Sequence, residues 1–357
     1  MKNLGRFYVA FTFLVLCSIV WLQTPRPIKN PQVLSVKVQL NQNIVEVDLV
    51  NHLRHIQSKR NGKLNVLIMG QWKSGSLYLA QLLTMYPKTF YIHEPVNGNT
   101  SNSEAITRIA SLLKCSFPKE PTTNSSKSMS LDNCNDIRCS TTTQSDHHQE
   151  NLCSRSNINV VKSIRLKSIG LEPLLESDPK LKVLVVARDP RAVWNSRSSN
   201  DTLWCGADPD CHDLDHFCSD LSEELGRIMQ LSKTYQQRIK IIRYEDLVHN
   251  SGVATIRKIF DFFTDAVDGK IVNIMLKSYQ KKIKAMKAQR ELGLVKSWIN
   301  PRQNVRKWLN NLPIEVAKNV SEKCSKTINM LGYPSRNEAI DGSMVVQSNE
   351  GVQKILT

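Results

Sequence analysis

The chain is short of acidic side chains: 32 Asp and Glu residues stand against 48 Lys and Arg residues, which gives its 357 residues a formal net charge of +16. This imbalance favours an anionic partner, such as a nucleotide, an acidic glycan, a membrane surface or nucleic acid. The chain also lacks internal repeats and has only one uncharged apolar run of near-membrane length. A protein with several membrane spans is therefore excluded, while 41% hydrophobic residues suffice for a sizeable core.

The single apolar run, FYVAFTFLVLCSIVWL at residues 7–22, follows Lys2 and Arg6. With Leu4 included, its length is just adequate for a bilayer, which takes about 17–25 apolar residues, and the preceding charges favour a cytosolic tail at residues 1–6. We therefore predict a signal anchor with the rest of the chain in a lumen, which argues against nucleic acid as the partner. A cleaved signal peptide is the alternative, but no clear small-x-small cleavage pattern precedes WLQTPRP.

The cysteines beyond the apolar run are even in number, which predicts disulfides in an oxidising compartment but leaves their pairing open. They are Cys115, Cys134, Cys139, Cys153, Cys205, Cys211, Cys218 and Cys324. An alternative zinc site would draw on Cys134, Cys139, His147, His148 and Cys153. Its spacing matches no standard zinc pattern, so disulfides are favoured. N-x-S/T sequons on the predicted lumenal side occur at Asn99, Asn124, Asn200 and Asn319.

Composition divides the rest of the chain into segments. Residues 23–60 are polar with three prolines and predict a stem, and residues 61–335 carry the alternating strand and helix signals of a lumenal domain. Within this domain, residues 114–157 are rich in Ser, Thr, Asn and Cys and predict a disulfide-tied insertion or loop. Residues 336–357 show no hydrophobic period and predict a loose C-terminal tail.

Short apolar runs separated by helical patterns predict an α/β fold, with a parallel sheet flanked by helices. The runs are LNVLIM (64–69), NVVKSIRL (159–166), KVLVVAR (182–188) and IKIIRYEDL (239–247). Because ligands of such folds bind beyond the carboxyl ends of the strands, the loops after these runs are the candidate binding segments.

The first such loop, GQWKSGSLY at residues 70–78, has the composition of a phosphate-binding turn. Gly70 and Gly75 allow a tight turn. The hydroxyls of Ser74 and Ser76 add donors, and a helix that starts near Ser76 adds partial positive charge. The glycine spacing approaches that of a Walker A loop, but the only lysine is Lys73, and serine follows the second glycine. A nucleotide kinase is thereby disfavoured, whereas an ordinary strand-to-helix turn stays an alternative.

The second loop follows the run KVLVVAR and continues as DPRAVWNSR. Arg188 ends the strand, Asp189 is a suitable N-cap, and Pro190 suits the first helical position. Arg191 and Arg197 bring further guanidinium groups, whose forked donors suit phosphate oxygens. The segment therefore predicts a second anion site, with solvated Arg191 or Arg197 side chains as the alternative.

Together, KSGSLY and VARDPRAVWNSR resemble the two nucleotide loops of sulfotransferases that use 3′-phosphoadenosine 5′-phosphosulfate (PAPS), and the chain is similar to the Golgi carbohydrate 6-O-sulfotransferase group. The similarity extends through FYIHEP (90–95), VVKSIRL (160–166), RYEDLV (243–248), VRKWLNNLP and CSKTINMLGY, and so covers most of residues 63–334. It implies a P-loop-like sulfotransferase fold and transfer of a sulfuryl group from PAPS to the 6-hydroxyl of galactose, GalNAc or GlcNAc in a glycan. It also implies a single-pass type II protein of the Golgi membrane.

The resemblance implies roles for single residues as well. The 5′-phosphosulfate end of PAPS would be held by Lys73, Ser74, Gly75 and Ser76. The 3′-phosphate, which PAPS has and ATP lacks, would be held by Arg188 and Ser196. No metal ion is expected in this scheme.

Three positions depart from the usual pattern of the group. Lys73 stands where its members usually have arginine, and His93 where they usually have phenylalanine. Leu77 replaces a residue with a hydroxyl group, which removes one phosphate donor worth about 1–3 kcal/mol where that bond is used. Leu77 therefore supports an alternative function, namely a non-catalytic protein that binds glycan or nucleotide.

Sulfuryl transfer, by analogy with phosphoryl transfer, needs in-line positioning and charge stabilisation. We predict Lys73 as the cation at the bridging oxygen, with Lys162 as a second candidate. For the base that accepts the proton of the acceptor hydroxyl we predict Glu94, with His93 as the rival base. Because side chains alternate along a strand, His93 and Glu94 should point to opposite sides. The structural alternatives are a Glu94 paired with an arginine and a Lys162 in solvent.

The acceptor-binding surface is less well defined by the sequence. The basic run at residues 277–293 predicts either a surface that binds an acidic glycan or a solvated helix face. Trp298 and Trp308 either stack on sugar rings or pack in the core, and the resemblance implies that Trp308 frames the cofactor side. The cysteine-rich segment at residues 204–218 is expected near the second loop. A protein tyrosine acceptor is the remaining alternative, which the match to the carbohydrate group argues against.

Overall fold

The computed structural model describes residues 35–40, 43–48, 63–97, 100–117, 146–198, 208–248, 252–263, 266–291 and 301–340. The chain divides into two compact units, Met1–Arg60 and Asn61–Thr357. In the first unit, strands β1 (Ser35–Leu40) and β2 (Asn43–Asp48) form an antiparallel hairpin. The predicted anchor at residues 7–22 and most of the predicted stem lie outside the described residues. Within the described ranges, no helix is both long and apolar enough to cross a membrane.

The second unit alternates strands and helices along its described part. The strands are β3 (Leu64–Gly70), β4 (Thr89–His93), β5 (Ile158–Ser163), β6 (Lys182–Ala187) and β7 (Ile239–Arg243). The helices are α1 (Ser76–Thr84), α2 (Asn102–Leu113), α3 (Asp146–Ser154), α4 (Leu171–Ser177), α5 (Pro190–Ser198), α6 (Leu214–Thr234), α7 (Tyr244–Val248), α8 (Val253–Phe262), α9 (Gly269–Glu291), α10 (Pro301–Asn311), α11 (Ile314–Lys323), α12 (Ser325–Leu331) and α13 (Arg336–Ile340).

These strands form one sheet and are all parallel, in the order β4-β5-β3-β6-β7, which confirms the predicted α/β fold with a parallel sheet flanked by helices. Strand β3 lies in the centre, and its register places Ile68 beside Lys162 of β5 and Gly70 beside Val186 of β6. The carboxyl ends of β4, β5, β3 and β6 therefore lie side by side. Both candidate anion loops start at this edge of the sheet.

Helices cover both faces of the sheet. Val66, Leu67 and Ile68 of β3 are all fully buried, although successive side chains of a strand point to opposite faces. This is the burial that near-continuous apolar strands of a parallel sheet require. On one face the core includes Phe217 of α6. Because both faces are packed, the positions of the loops at the carboxyl edge are fixed by the core beneath them.

The structure differs from the sequence interpretation at three boundaries. Strand β7 ends at Arg243, and helix α7 begins inside the run predicted as a strand at residues 239–247. The predicted loop at residues 114–157 contains helix α3 in its described part. The predicted loose tail contains helix α13, because Ser335 and Glu338 make reciprocal capping bonds and Ala339 is buried.

Disulfides, which the cysteine count predicts, are present in the described part of the chain. One joins Cys115 to Cys153 across the insertion, another joins Cys218 of α6 to Cys324 between α11 and α12, and Cys211 is also disulfide-bonded. Because Cys153 is in a disulfide, it is not a thiolate ligand for the alternative zinc site. The described residues contain no group of His, Cys, Asp and Glu side chains that could hold a metal ion.

Candidate active site

The first candidate loop turns sharply from β3 into α1. Lys73 has a φ of 69° and Gly75 a φ of 91°, both in the left-handed region. The N–H of Ser74 donates to the carbonyl of Gln71 at 3.0 Å, which closes the turn. Gly75 caps α1 without a side-chain hydrogen bond. The N–H groups of Ser76 and Leu77 at the start of α1 therefore have neither an intrahelical partner nor a capping side chain, and with the helix dipole they suit an anion.

The Ser74 hydroxyl points to the kind of ligand that this loop takes. Ser74 is only 1% exposed, yet its Oγ has no hydrogen-bond partner among the described residues. A Cβ at Gly70 would lie 2.6 Å from this Oγ and 2.7 Å from the carbonyl oxygen of Val186. Native proteins rarely leave a buried hydroxyl unpaired. A cradle of this size, with a spare donor and no room for a further carbon atom, fits an anionic oxygen.

Gly75→Ala is expected to lower the free energy of unfolding by roughly 1–3 kcal/mol, because the residue has a positive φ and the new Cβ would lie 2.2 Å from Cδ2 of Tyr244. Thermal unfolding of the variant measures this loss. The matched control is Gly226→Ala in α6, where a Cβ meets nothing within 4 Å. Alanine favours helix over glycine by roughly 0.5–1 kcal/mol, so the control should be slightly stabilised. Equal losses in both variants would contradict the assigned turn.

Arg191 of the second loop is a structural residue. It is 1% exposed, and its Nε and Nη2 donate to the two carboxylate oxygens of Asp189 at 2.9 and 2.8 Å. Nη2 also donates to the carbonyl of Pro334 at 2.7 Å, and the guanidinium lies 4.4 Å from the ring centre of Trp308. The prediction of a phosphate-binding or solvated Arg191 is therefore wrong. Its backbone N–H donates to Asp189 Oδ1 at 2.9 Å, so Asp189 caps α5 as expected.

Two other arginines tie the second loop to the first. Arg188 donates from Nη1 to the carbonyl of Lys73 and from Nη2 to the carbonyl of Asn304, both at 2.9 Å. Arg197, 5% exposed, donates from Nη2 to the carbonyl of Trp72 at 3.4 Å. In both arginines Nε is buried and has no partner among the described residues. The two loops thus form one cluster with spare cationic donors, and Ser196 lies half-buried on the same helix α5.

Glu94 and Lys162 form a buried ion pair at the ends of β4 and β5. Their side chains are 13% and 5% exposed, and Lys162 Nζ contacts Glu94 Oε1. The N–H of Ile164 donates to Glu94 Oε2 at 3.0 Å, and the N–H of Glu94 donates to the carbonyl of Lys162 at 2.9 Å. Two structural alternatives are therefore wrong: Glu94 does not pair with an arginine, and Lys162 does not lie in solvent. The predicted base and the second predicted cation are instead direct partners.

His93 lies beside this pair. The expectation that His93 and Glu94 point to opposite sides of the strand is therefore wrong. In the register of the sheet His93 neighbours Lys162. Glu94 follows the last residue of β4 and has a φ of 43°, so the alternation of a strand does not extend to it. Burial lowers the pKa of His93, and the charge of Lys162 lowers it further, while Glu94 opposes these effects. The net effect favours the neutral form of His93.

The hydrogen bond of His93 weighs against a role as the base. The Tyr91 hydroxyl lies 2.7 Å from His93 Nδ1, and burial raises the pKa of Tyr91, so this hydroxyl keeps its proton. The protonated hydroxyl can donate to Nδ1 or accept from it, and the tautomer of neutral His93 decides which. Where the hydroxyl donates, the ring proton of His93 is on Nε2, and neither ring nitrogen is free to take a proton from a substrate. The geometry favours Glu94.

A cavity of about 290 Å³ opens at the same edge of the sheet. One side is formed by residues at the strand ends, and the other by the segment that leads into α6. From the two loops its lining includes Gly70, Gln71, Trp72, Ser74, Arg188 and Arg197. The loops therefore adjoin a space that can hold part of a second substrate.

Glu245 is a buried acid to which no sequence pattern assigned a role. Its Oε1 accepts the N–H of Asp189 at 3.2 Å, and its Oε2 accepts the hydroxyl of Tyr333 at 2.8 Å. Burial raises the pKa of Glu245 to about 7, and the charge of Asp189 contributes, while Arg188 opposes the shift. Glu245 thus supports the second loop from within the core. The segment RYEDLV is part of the family resemblance, but no pattern in it separates Glu245 from the half-buried Asp246.

Glu245→Gln is expected to reduce the pH dependence of stability. The unfolded carboxyl loses its proton near pH 4.5 and the folded one near pH 7, so wild-type stability falls as pH rises between these values and stays lower above them. Relative to wild type, the variant should gain on the order of 3 kcal/mol across this window, because one pKa unit corresponds to about 1.4 kcal/mol. Unfolding temperatures of both proteins at acidic and mildly alkaline pH measure the gain. A difference that is constant with pH would contradict it.

Comparisons with known proteins identify the family of this chain. Residues 63–332, more than half of the chain, match the sulfotransferase domain family, and the chain belongs to this family. Human carbohydrate sulfotransferase 5 is 25% identical over 331 residues, which cover 76% of this chain and 78% of that protein. Mouse carbohydrate sulfotransferase 4 is 23% identical, and the match covers 82% of this chain and 89% of that protein. The structure of mouse sulfotransferase SULT7A1 complexed with PAP is 12% identical, with a TM-score of 0.41, and covers 77% of this chain and 87% of that one.

Proposed function

We propose that this chain transfers a sulfuryl group from PAPS to the 6-hydroxyl of galactose, GalNAc or GlcNAc in a glycan. The observation that carries the proposal is the joined pair of loops at adjacent strand ends, where Arg188 donates to the Lys73 carbonyl at 2.9 Å. Membership of the sulfotransferase family supports sulfuryl transfer. The relatives are carbohydrate sulfotransferases by name, which supports a glycan as the acceptor.

The donor site is assigned to both loops. The 5′-phosphosulfate end is held by the first turn of α1 and by Lys73, Ser74, Gly75 and Ser76. The 3′-phosphate is held by the spare Nε of Arg188 and by the hydroxyl of Ser196. Two separate groups of donors match the two anionic ends of one nucleotide. The side chain of Leu77, 37% exposed at the start of α1, adds no donor.

The residues at the ends of β4 and β5 act on the acceptor. The Glu94 carboxylate takes the proton of the hydroxyl while the acceptor oxygen forms its bond to sulfur. The bond between sulfur and the bridging oxygen of PAPS breaks, and 3′-phosphoadenosine 5′-phosphate leaves. Lys73 balances the negative charge that develops on this bridging oxygen. Lys162 fixes the carboxylate of Glu94 in place through the buried ion pair.

We place the catalytic unit in the Golgi lumen, behind a single-pass type II anchor at residues 7–22. The apolar run and the basic residues before it support the anchor. The disulfides of the described residues support an oxidising compartment, because such bonds are rare in the cytosol.

The test combines donor binding and sulfuryl transfer on one preparation of the full chain. Calorimetry with 3′-phosphoadenosine 5′-phosphate measures binding, and radiolabelled PAPS with a panel of glycans measures transfer. We expect binding together with transfer to a terminal or internal 6-hydroxyl. Binding without transfer to any acceptor would favour the non-catalytic alternative, and transfer to a tyrosine peptide but to no glycan would overturn the proposed acceptor.

A further inference from the structure

A lysine contacts both sulfur atoms of the disulfide between Cys115 and Cys153. Lys63 directly precedes β3, Cys115 follows the end of α2, and Cys153 lies in the last turn of α3. Lys63 Nζ lies 3.0 Å from Sγ of Cys153, contacts Sγ of Cys115, and donates to the carbonyl of Cys153 at 2.8 Å. This cluster lies at the amino end of β3, and none of its residues lines the cavity at the opposite edge.

The ammonium group of Lys63 has no negative partner. Among the described residues no carboxylate pairs with it, and its polar contacts are the two sulfurs and one carbonyl. Burial lowers the pKa of Lys63 to about 8. Glu150, one turn before Cys153 on α3, instead accepts the N–H of Phe117 at 3.2 Å and lies 3.6 Å from Nδ1 of His147. A buried cation without a counter-ion is stabilised by any anion that forms beside it.

Reduction of the disulfide forms such an anion. Thiol–disulfide exchange releases one cysteine as a thiolate, and a neighbouring cation lowers the pKa of the leaving thiol. A lower pKa makes the thiolate a better leaving group and stabilises the reduced form of the pair. Cys153 is fully buried in the apolar core, where a thiolate without a cation beside it would be strongly disfavoured. Lys63 is placed to remove this penalty.

The two sulfurs differ in their access to solvent. Cys115 is half-buried and follows the exposed Lys114, whereas Cys153 has no exposed surface. A thiolate from solvent therefore reaches Cys115, and Cys153 is the cysteine that leaves, beside Lys63. Lys114 and the exposed Arg155 place further positive charge within two positions of the cysteines. Positive charge at this surface raises the local concentration of an anionic thiol.

We propose that Cys115, Cys153 and Lys63 form a thiol-exchange site that takes glutathione, so that this disulfide opens and closes in the folded protein. A glutathione thiolate forms a bond to Sγ of Cys115, the bond between the two cysteine sulfurs breaks, and Cys153 leaves as a thiolate beside Lys63. A second glutathione thiolate attacks the mixed disulfide and releases Cys115. The protein disulfide is reduced by two electrons, and two glutathione molecules are oxidised to one glutathione disulfide. Each glutathione thiol loses its proton to solvent, and Cys115 takes one proton up again.

The disulfide between Cys218 and Cys324 provides a reference in the same molecule, and we call it the core disulfide and the proposed one the exchange disulfide. Both cysteines of the core disulfide are buried in the apolar core. Within the described ranges no lysine or arginine donates a hydrogen bond to either of its sulfurs. The core disulfide therefore has neither the accessible sulfur nor the cation of the exchange disulfide.

A purely structural role of Lys63 is the alternative, and it predicts an effect of opposite sign. The bond to the carbonyl of Cys153 places a cation at the C-terminal end of α3, which stabilises a helix. If Lys63 served only this purpose, its loss would loosen α3 and make the exchange disulfide as easy or easier to reduce. If Lys63 stabilises the thiolate, its loss makes this disulfide harder to reduce.

The test equilibrates the oxidised full chain, without oxygen, in buffers with increasing ratios of squared reduced glutathione to glutathione disulfide. Isotope-coded alkylation followed by mass spectrometry measures the reduced fraction of each disulfide. We expect half-reduction of the exchange disulfide at a ratio at least about 10-fold lower than that of the core disulfide. Lys63→Met should raise the ratio for the exchange disulfide about 10-fold, or about 30 mV for a two-electron couple, and leave the core disulfide unchanged. Lys114→Met, an exposed change beside Cys115, is the control and should shift the exchange disulfide less than about twofold.

The comparison of the two disulfides in the wild-type chain needs no variant. Half-reduction of both at the same ratio, or of the core disulfide first, would overturn the proposed site. An unchanged or lower ratio in Lys63→Met would assign Lys63 the structural role, and an equal shift of both disulfides would show a general loss of stability. Either result would also overturn the inference. The proposed sulfuryl transfer does not depend on this outcome, since none of the three residues belongs to the donor or acceptor machinery.

Discussion

Arg188→Ala is expected to weaken binding of 3′-phosphoadenosine 5′-phosphate about 100-fold and to remove measurable sulfuryl transfer at low PAPS concentrations. The variant lacks the guanidinium proposed for the 3′-phosphate, and hydrogen bonds to charged groups contribute about 1.5–3 kcal/mol each. It also lacks the bonds to the carbonyls of Lys73 and Asn304, which hold the first loop against the second. About 1.4 kcal/mol corresponds to a factor of ten in affinity, so one or two lost contacts give this effect. Calorimetry measures the dissociation constant.

The matched control for Arg188 is Arg238→Ala. Arg238 also donates to backbone carbonyls, those of Leu175 at 2.8 Å, Asp178 at 2.6 Å and Leu181 at 3.4 Å, but it stands at the beginning of β7. Its loss should lower the unfolding temperature and leave nucleotide affinity unchanged, because the amino ends of parallel strands face away from the binding edge. Unchanged nucleotide affinity in Arg188→Ala, or equal weakening in both variants, would contradict the assigned donor site.

Much of the fold could be predicted from local patterns in the sequence. The apolar runs are short and lie between helical patterns, so a parallel sheet covered on both faces follows from burial alone. The two loops could be located because glycine and serine after β3, and Asp189 and Pro190 after β6, have strong local preferences. A cap or a tight turn depends on few neighbouring residues, which is why these predictions succeed.

The partners of the charged side chains could not be predicted in this way. Arg188 and Arg191 are three positions apart in the same segment, yet Arg188 donates to the first loop, whereas Arg191 is buried and donates to Asp189 and Pro334. The ion pair of Glu94 and Lys162 joins residues that are 68 positions apart in sequence. The ion pair also depends on the positive φ of Glu94, which no pattern in the sequence predicts. Such contacts are set by the register of β4 and β5 and not by local sequence.

The sheet order brings these separate segments into one reaction geometry. Strand β3 carries the donor loop, β6 on one side carries Arg188, and β5 on the other side carries Lys162. Glu94 follows β4, one strand further along. The base and the donor groups therefore reach the same edge from strands on both sides of β3. Spacing along the chain does not determine the order of these strands. The separate segments of the site could therefore be located from the sequence, but their arrangement relative to one another could not be predicted.

Glu94→Gln is expected to reduce kcat by about 10²–10⁴-fold, the usual contribution of a general base, while nucleotide binding is retained. The amide cannot take the proton of the acceptor hydroxyl, although it keeps the shape of the carboxylate. The variant should also lose stability, because it leaves the charge of Lys162, 5% exposed, without its counter-ion. Single-turnover transfer under saturating PAPS measures the rate of the chemical step. Thermal unfolding measures the loss of stability.

The double variant Glu94→Gln, Lys162→Met separates the two effects. Replacing both partners of a buried ion pair costs far less stability than leaving one charge unpaired, which typically costs about 3–5 kcal/mol. The double variant should therefore recover stability relative to Glu94→Gln but remain inactive, since it has neither the base nor the lysine that positions it. His93→Ala should keep kcat within about tenfold of wild type, because the Nδ1 of His93 is engaged with Tyr91. Full turnover in Glu94→Gln together with an inactive His93→Ala would transfer the role of base to His93. Activity that returns with stability in the double variant would instead make the ion pair purely structural, because a carboxylate that is absent cannot accept a proton.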